Sequence, residues 1–149
     1  MYKRQPKNQH ENHFDFDAAD DLAIKIGYLL LQGWSSQSEE KKLEFHKWVS
    51  KNSWVEDYAT FIVIREEFNM LPWWEWPQEF KMKNKKFLKS WIKKKSEEIL
   101  TKKLMQWHLD EQWSSIKNFA KSRNIKLIGD LPFYVSRDSA DVWLSLIHI

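Results

Sequence analysis

The sequence predicts an α/β chain that is mostly helix, with a single strand near residues 125–129. Three observations carry that expectation. Glycine occurs 3 times and proline 4 times in 149 residues, so few positions break a helix or turn the chain. Apolar residues recur at spacings of three and four through much of 17–123. The run Ile125-Lys126-Leu127-Ile128 then departs from that period and ends in Gly129-Asp130. A short apolar strand that delivers an acidic residue to a following loop is how barrel enzymes place site carboxylates.

The elements follow in order. The polar stretch before the first helix holds His10, His13, Asp15 and Asp17, metal-ligating types that no sustained ligand spacing joins. From Asp17 the apolar positions Ala19, Leu22, Ala23, Ile26, Leu29 and Leu30 describe a first helix, with Gly33 as its stop. Ser36-Gln37-Ser38-Glu39 has the spacing of a capping box and opens a second helix through Leu43, Phe45, His46, Trp48 and Val49, with His46 expected to be partly buried. Ser53-Trp54-Val55-Glu56 repeats that spacing before a third helix. Pro72 and Pro77 bracket three tryptophans, and proline disfavours helix in the residue before it, so Leu71 to Pro77 is expected to be a rigid loop. Residues 78–123 read as helix with one or more breaks, anchored by Phe80, Phe87, Trp91, Ile99, Leu100, Leu104, Trp107, Trp113, Ile116, Phe119 and Ala120. Asn124 suits a helix C-terminus because asparagine tolerates the left-handed conformation.

Composition removes several function classes. The chain has no cysteine, which excludes disulfide scaffolds, thiolate metal sites, iron–sulfur clusters and a thiol nucleophile. No run of ~18 apolar residues is present, and no basic-then-apolar leader opens the chain, so a cytoplasmic protein with no membrane partner is the expectation. Aromatics are abundant, with 10 Trp, 4 Tyr and 9 Phe. Their rings serve core packing, the expectation for any one tryptophan, or stack on sugars, nucleobases or quaternary ammoniums, and Trp73, Trp74 and Trp76 lie together in the proline-bracketed loop.

The net charge of +3 raises the question of nucleic acid. Ten of the lysines lie between Lys81 and Lys103, against Glu97 and Glu98, and the remaining 14 basic residues face 19 acids. Consecutive lysines such as Lys93, Lys94 and Lys95 spread around a helix, and arginine, the residue of bidentate readout, occurs only four times. A solvated face is the expectation, and a helical nucleic-acid-binding module using Lys81–Lys103 is the alternative from a different class.

The two ends share no pattern with what adjoins them. Residues 1–5 and 144–149 resemble translations, in opposite orientations, of a transposon end sequence used to build sequencing libraries. The native segment is therefore expected over 6–143, as part of one domain. Without Lys3 and Arg4 the chain carries 22 basic and 21 acidic residues, close to neutral.

Four blocks, in order, carry a family resemblance. Ile128-Gly129-Asp130-Leu131-Pro132-Phe133-Tyr134-Val135-Ser136-Arg137-Asp138-Ser139-Ala140-Asp141-Val142-Trp143 is similar to a signature of the 4-α-glucanotransferases, the amylomaltases or disproportionating enzymes of glycoside hydrolase family 77. Trp54 to Phe61 resembles the family's W-x-x-D-Y-A-x-F helix, and Trp73 to Pro77 resembles its W-x-x-W-P loop. Gln112-Trp113 to Ala120 resembles its Q-W-x-x-x-K-x-Y-A helix, with Phe119 in place of the usual tyrosine. The likeness spans about 14–143, and Leu144 departs from the Ala-Asn that commonly follows.

The resemblance implies a portion of a (β/α)₈ barrel, the strand near 125–129 being one of the eight. It implies transfer of α-1,4-glucan segments between maltodextrins, with retention through a covalent glycosyl-enzyme and no metal or organic cofactor. Retention requires a nucleophilic carboxylate and a second carboxyl acting as acid and base, roughly 5 Å apart. In the family those groups lie beyond Trp143, so the resemblance assigns no catalytic residue here and the chain alone is expected to be inactive. It assigns substrate-site roles to four residues: Asp130, which supports the pocket and orients an arginine near the nucleophile; Pro132, which fixes the loop; and Asp138 and Ser139, which hydrogen-bond sugar hydroxyls or structure the loop. The implied partner is a maltooligosaccharide. A glycoside hydrolase of the same clan is the second enzymatic alternative.

Overall fold

The computed structural model describes residues 15–130 and 133–145. Seven α-helices cover most of them: α1 (Phe16–Trp34), α2 (Glu39–Lys51), α3 (Trp54–Glu67), α4 (Gln78–Lys81), α5 (Lys85–Lys94), α6 (Ser96–Ser122) and α7 (Ala140–Ser145). A 3₁₀ turn, Trp73–Glu75, lies in the proline-bracketed loop.

The middle helix is the best buried because it is apolar on more than one face. Val55, Ala59, Thr60, Phe61, Val63 and Ile64 of α3 are all buried, as expected of a helix surrounded by others. Thr60, its one buried polar side chain, returns its hydroxyl to the Glu56 carbonyl at 2.8 Å. Around α3 gathers an aromatic core of Phe61, Trp73, Trp76, Phe80, Trp91 and Trp143. A smaller core forms where Phe45 of α2 meets Leu104 and Trp107 of α6, closed over by Trp34 at the end of α1. The rings meet edge-on or tilted, Trp34 with Phe45 at 4.9 Å and Phe45 with Trp107 at 5.4 Å, the geometry that their quadrupoles favour.

Helix α1 lies along the N-terminal half of α6, and Gly27 explains how closely. A Cβ built there falls 3.0 Å from Thr101 Cγ2 and 3.1 Å from Met105 Sδ, so the absent side chain is what lets the two helices approach. Asp15 starts α1 by accepting the Ala18 N–H at 2.9 Å.

The start and stop signals need correction in detail. The cap of α2 is Ser38, whose hydroxyl accepts from Lys41 N, while Ser36 turns its hydroxyl back to the Gly33 carbonyl. Ser53 occupies the cap position of α3 in helical conformation and makes no side-chain cap bond. His46 is exposed, resting against the ring of Phe45. The breaks within 78–123 fall at Met82–Asn84, where Lys83 has φ 49°, and at Lys95 between α5 and α6. Asn124 does end the long helix, with φ 56°.

The largest correction concerns the strand. Residues 125–130 form neither strand nor helix, and the described residues contain no strand at all. A strand exists only through ladder bonds to a neighbour, and an apolar run without one stays irregular whatever its β propensity. Trp113, Ile116 and Phe119, expected to be core anchors, are each at least half exposed.

Candidate functional site: the segment from Asn124 to Trp143

Three backbone bonds turn the chain out of α6. Arg123 N reaches the Ala120 carbonyl at 3.1 Å, Asn124 N the Lys121 carbonyl at 3.1 Å, and Ile125 N the Ala120 carbonyl at 2.9 Å. The left-handed Asn124 makes this closure possible. Beyond it every described residue through Arg137 is exposed, with Ile128 at 97%, Phe133 at 96% and Tyr134 at 92%. Asp130 stands in this stretch, exposed, with no hydrogen bond or ion pair among the described residues. Pro132 lies outside the described residues.

From Arg137 onward the chain is held firmly. The Asp138 carboxylate accepts from two places: its Oδ2 is 2.9 Å from Arg65 Nη2 of α3, and its Oδ1 takes the Trp73 backbone N–H at 3.3 Å. The Trp73 indole N–H in turn donates to the Arg137 carbonyl at 2.7 Å. The Arg137 guanidinium covers the Trp74 ring at 4.5 Å, a cation–π contact. Ser139 caps α7, its Oγ accepting from Val142 N at 3.2 Å and its carbonyl from Trp143 N at 3.0 Å. Trp143 then plugs the aromatic core, its indole N–H donating to the Phe80 carbonyl at 3.2 Å.

The three described residues among those singled out from sequence, Asp130, Asp138 and Ser139, are therefore not gathered at one point. Asp138 and Ser139 are joined to the helical block, whereas Asp130 shares no hydrogen bond with either. Trp73 and Trp76 are buried in the core, and Trp74 is half-buried beneath Arg137. Sequence reasoning missed Arg65, the partner of Asp138. Its only signal was an arginine, rare in this chain, four residues beyond the Trp54–Phe61 block on the same helix.

The chain as a whole matches a solved fold. The amylomaltase of Streptococcus agalactiae, solved in complex with acarbose, superposes with a TM-score of 0.74 at 28% identity, covering 86% of this chain and 25% of that one. The family model for glycoside hydrolase family 77, described as 4-alpha-glucanotransferase, matches residues 2–146. The chain belongs to this family. Among curated relatives, the 4-alpha-glucanotransferase of Clostridium butyricum is 29% identical over 80% of this chain and 24% of its own length. That of Aquifex aeolicus is 37% identical over 60% of this chain and 18% of its own length. The chloroplastic or amyloplastic 4-alpha-glucanotransferase of Arabidopsis thaliana is 30% identical over 85% of this chain and 22% of its own length. The chain thus spans about a fifth to a quarter of the glucanotransferases it matches.

The lysine-rich stretch Lys81–Lys103 is partly neutralised by acids of the same chain. Lys95 pairs with Glu67 at 2.7 Å and Glu98 at 3.4 Å, Lys102 with Glu66 at 2.6 Å, and Lys103 with Glu56 at 2.7 Å. These ties lace α3 to the α5–α6 junction and α6. Lys83 donates to the Leu144 carbonyl at 2.8 Å and sits over the Trp143 ring, and burial pushes its amine below the usual lysine range. Burial likewise raises the carboxyl of Asp57, in the W-x-x-D-Y-A-x-F helix, with the nearby Lys83 charge pulling it back. No helix among the described residues is long and apolar enough to cross a membrane.

Proposed function

We propose that this chain is part of the catalytic barrel of a 4-α-glucanotransferase, which moves α-1,4-glucan segments between maltooligosaccharides. The observation that carries the reading is the likeness to an amylomaltase over 86% of the chain, supported by the family match over residues 2–146, which includes the Asp130–Trp143 block. Residues 6–143 supply a helical insertion and one barrel strand, and the rest of the enzyme supplies the strand's neighbours and the two carboxyl groups that cut the glycosidic bond. The exposed Ile125, Leu127 and Ile128, together with the half-exposed Trp113, Ile116 and Phe119 of α6, are the apolar side chains left for those neighbours to cover. The reaction proceeds with retention: the nucleophile displaces the leaving 4-hydroxyl, which takes a proton from the acid, and an acceptor 4-hydroxyl then returns one as it displaces the enzyme carboxylate.

Within that scheme Asp130 ends the strand at the mouth of the pocket and holds a site arginine as a charge-assisted, bidentate partner. Pro132 fixes the turn that follows it. Asp138 and Ser139 serve the loop, since their polar atoms are already engaged with Arg65, Trp73 and the first turn of α7.

The test is Asp130→Asn in the complete enzyme. Asparagine keeps the shape and removes the charge, so melting should change little while kcat on maltotriose falls by roughly 10²–10³, the scale of losing one well-placed electrostatic group. The 149-residue chain alone should release no glucose from maltotriose above a blank. Near-normal kcat in a normally melting Asp130→Asn enzyme removes Asp130 from the site. A complete enzyme that does not disproportionate maltotriose removes the reading itself.

A further inference from the structure

We infer that Arg65 is a positioning residue for the site segment: acting through Asp138, it fixes where the chain that carries Asp130 rejoins the helical block. The inference rests on the glucanotransferase reading for the role of Asp130. Among the described residues, the stretch between Ile125 and Arg137 has a fixed point at each end. The first is the turn out of α6, where Ile125 N bonds to the Ala120 carbonyl. The second is the bracket in which Asp138 Oδ2 meets Arg65, Asp138 Oδ1 meets Trp73 N, and the Trp73 indole meets the Arg137 carbonyl. Two bonds between one tryptophan and two successive residues set the register of the returning chain as well as its distance.

Arg65 is what makes that bracket stiff. It sits in the last turn of α3, whose other face is the best buried in the molecule, so its guanidinium is anchored to the core rather than to a loop. Its Nε is buried without a hydrogen-bond partner among the described residues, and Asp138 is the counter-charge 2.9 Å from its Nη2. A partly buried cation with one carboxylate partner has little freedom to exchange it, because leaving it strands a charge. The planar fork of arginine also carries direction that a lysine ammonium does not. Asp138, which lies in the block most characteristic of the family, thereby spends its oxygens on orientation of the segment.

The experiment compares Arg65→Met, Arg65→Lys and the double variant Arg65→Met/Asp138→Asn in the complete enzyme. It reads amide hydrogen exchange over 126–136, kcat and KM on maltotriose, and melting. In Arg65→Met, exchange over 126–136 should rise about 5-fold or more while that of α1 and α2 stays unchanged. Its kcat should fall about 10-fold or more with KM within about twofold, because a displaced site group costs rate rather than binding. Arg65→Lys should recover part of the kcat, and the double variant should be no worse than Arg65→Met, since both act on one contact. Unchanged exchange over 126–136, unchanged kcat despite faster exchange, a kcat loss that follows the unfolded fraction, or additive losses in the double variant would each overturn the inference. If the wild-type enzyme leaves maltotriose untouched, the functional reading fails, whereas the exchange ratio still decides whether Arg65 positions the segment.

Discussion

The helical block through Ser122 and the segment from Ile125 to Ser136 have similarly apolar stretches and opposite fates. In the block, the two aromatic cores find their partners within the chain: α3 is enclosed by α6, α7 and the tryptophan loop, and Phe45 by Trp34 and Trp107. In the segment, Ile128, Phe133 and Tyr134 are almost wholly exposed. Hydrophobicity alone does not separate them. Helices satisfy their own backbone and need only side-chain partners, which can come from nearby in sequence; a strand needs another strand for its N–H and C=O groups as well. The block is therefore expected to fold from what it contains, and the segment to acquire its structure from what it meets.

The strongest way to break this comparison is at the one residue that joins the two regions most tightly. Trp143 is 2% exposed, meets Phe61 and Trp76, and bonds to the Phe80 carbonyl, so it closes the block's aromatic core from the segment's side. Trp143→Ala leaves a large cavity and removes the indole bond to the Phe80 carbonyl, and should cost about 3–5 kcal/mol in urea unfolding of this chain. A loss under ~1 kcal/mol would mean that α7 docks weakly and that the block is complete without it.

A sharper contrast comes from one substitution in two settings. Ile128→Ser should change the stability of this chain by less than ~0.5 kcal/mol, since the side chain is 97% exposed. In the complete enzyme, where the barrel reading buries it between strands and helices, the same change should cost about 2–5 kcal/mol. Equal, small effects in both would leave the segment without a buried role and remove the strand from the proposal. Equal, large effects would mean that the segment already packs within this chain.

What could be read in the sequence divides along the same line. Helices were legible because the period of three and four is local, and Asn124 was legible because few residues adopt positive φ cheaply. Ser36 and Ser38 offered two caps two residues apart, and the spacing rule chose the wrong one because either serine can bond to nearby backbone. Gly27 carries no local signal, since its purpose is set by Thr101 and Met105 of a helix far along the chain. The bond from Arg65 to Asp138 has no local pattern either, so the site's support was invisible although its motif was the most recognisable block. The strand near 125–129 was read from pattern alone, and pattern does not supply the neighbour.

The smallest expected effect concerns charge, and it also belongs to the block rather than the segment. Hydrogen bonding to Glu111, then to Glu44, raises the amine of Lys41 above its ordinary 10.5, against a small cost of burial. Hydrogen bonding to Glu67 does the same for Lys95. A lysine whose folded pKa is raised contributes stability in full below its unfolded value and loses it as pH rises through the folded one, so both contributions persist to about pH 10.5 and vanish above it. Lys83 runs the other way: burial lowers its folded pKa, so its contribution is present above 10.5 and is lost as pH falls through the lowered value. Between that value and 10.5 the chain should therefore hold or gain slightly, and above 10.5 it should lose stability. These side chains are partly exposed, so each Lys–Glu tie is worth at most about 1 kcal/mol, or a Tm change of about 2–4 °C. Thermal melts from pH 7 to 11.5 should show the late fall, and Lys95→Met should reduce it while Lys83→Met removes the small rise before it. A fall that begins well below 10.5, or one that Lys95→Met leaves untouched, would show that these ties do not carry the alkaline limit and that the block's stability lies in its aromatic cores alone.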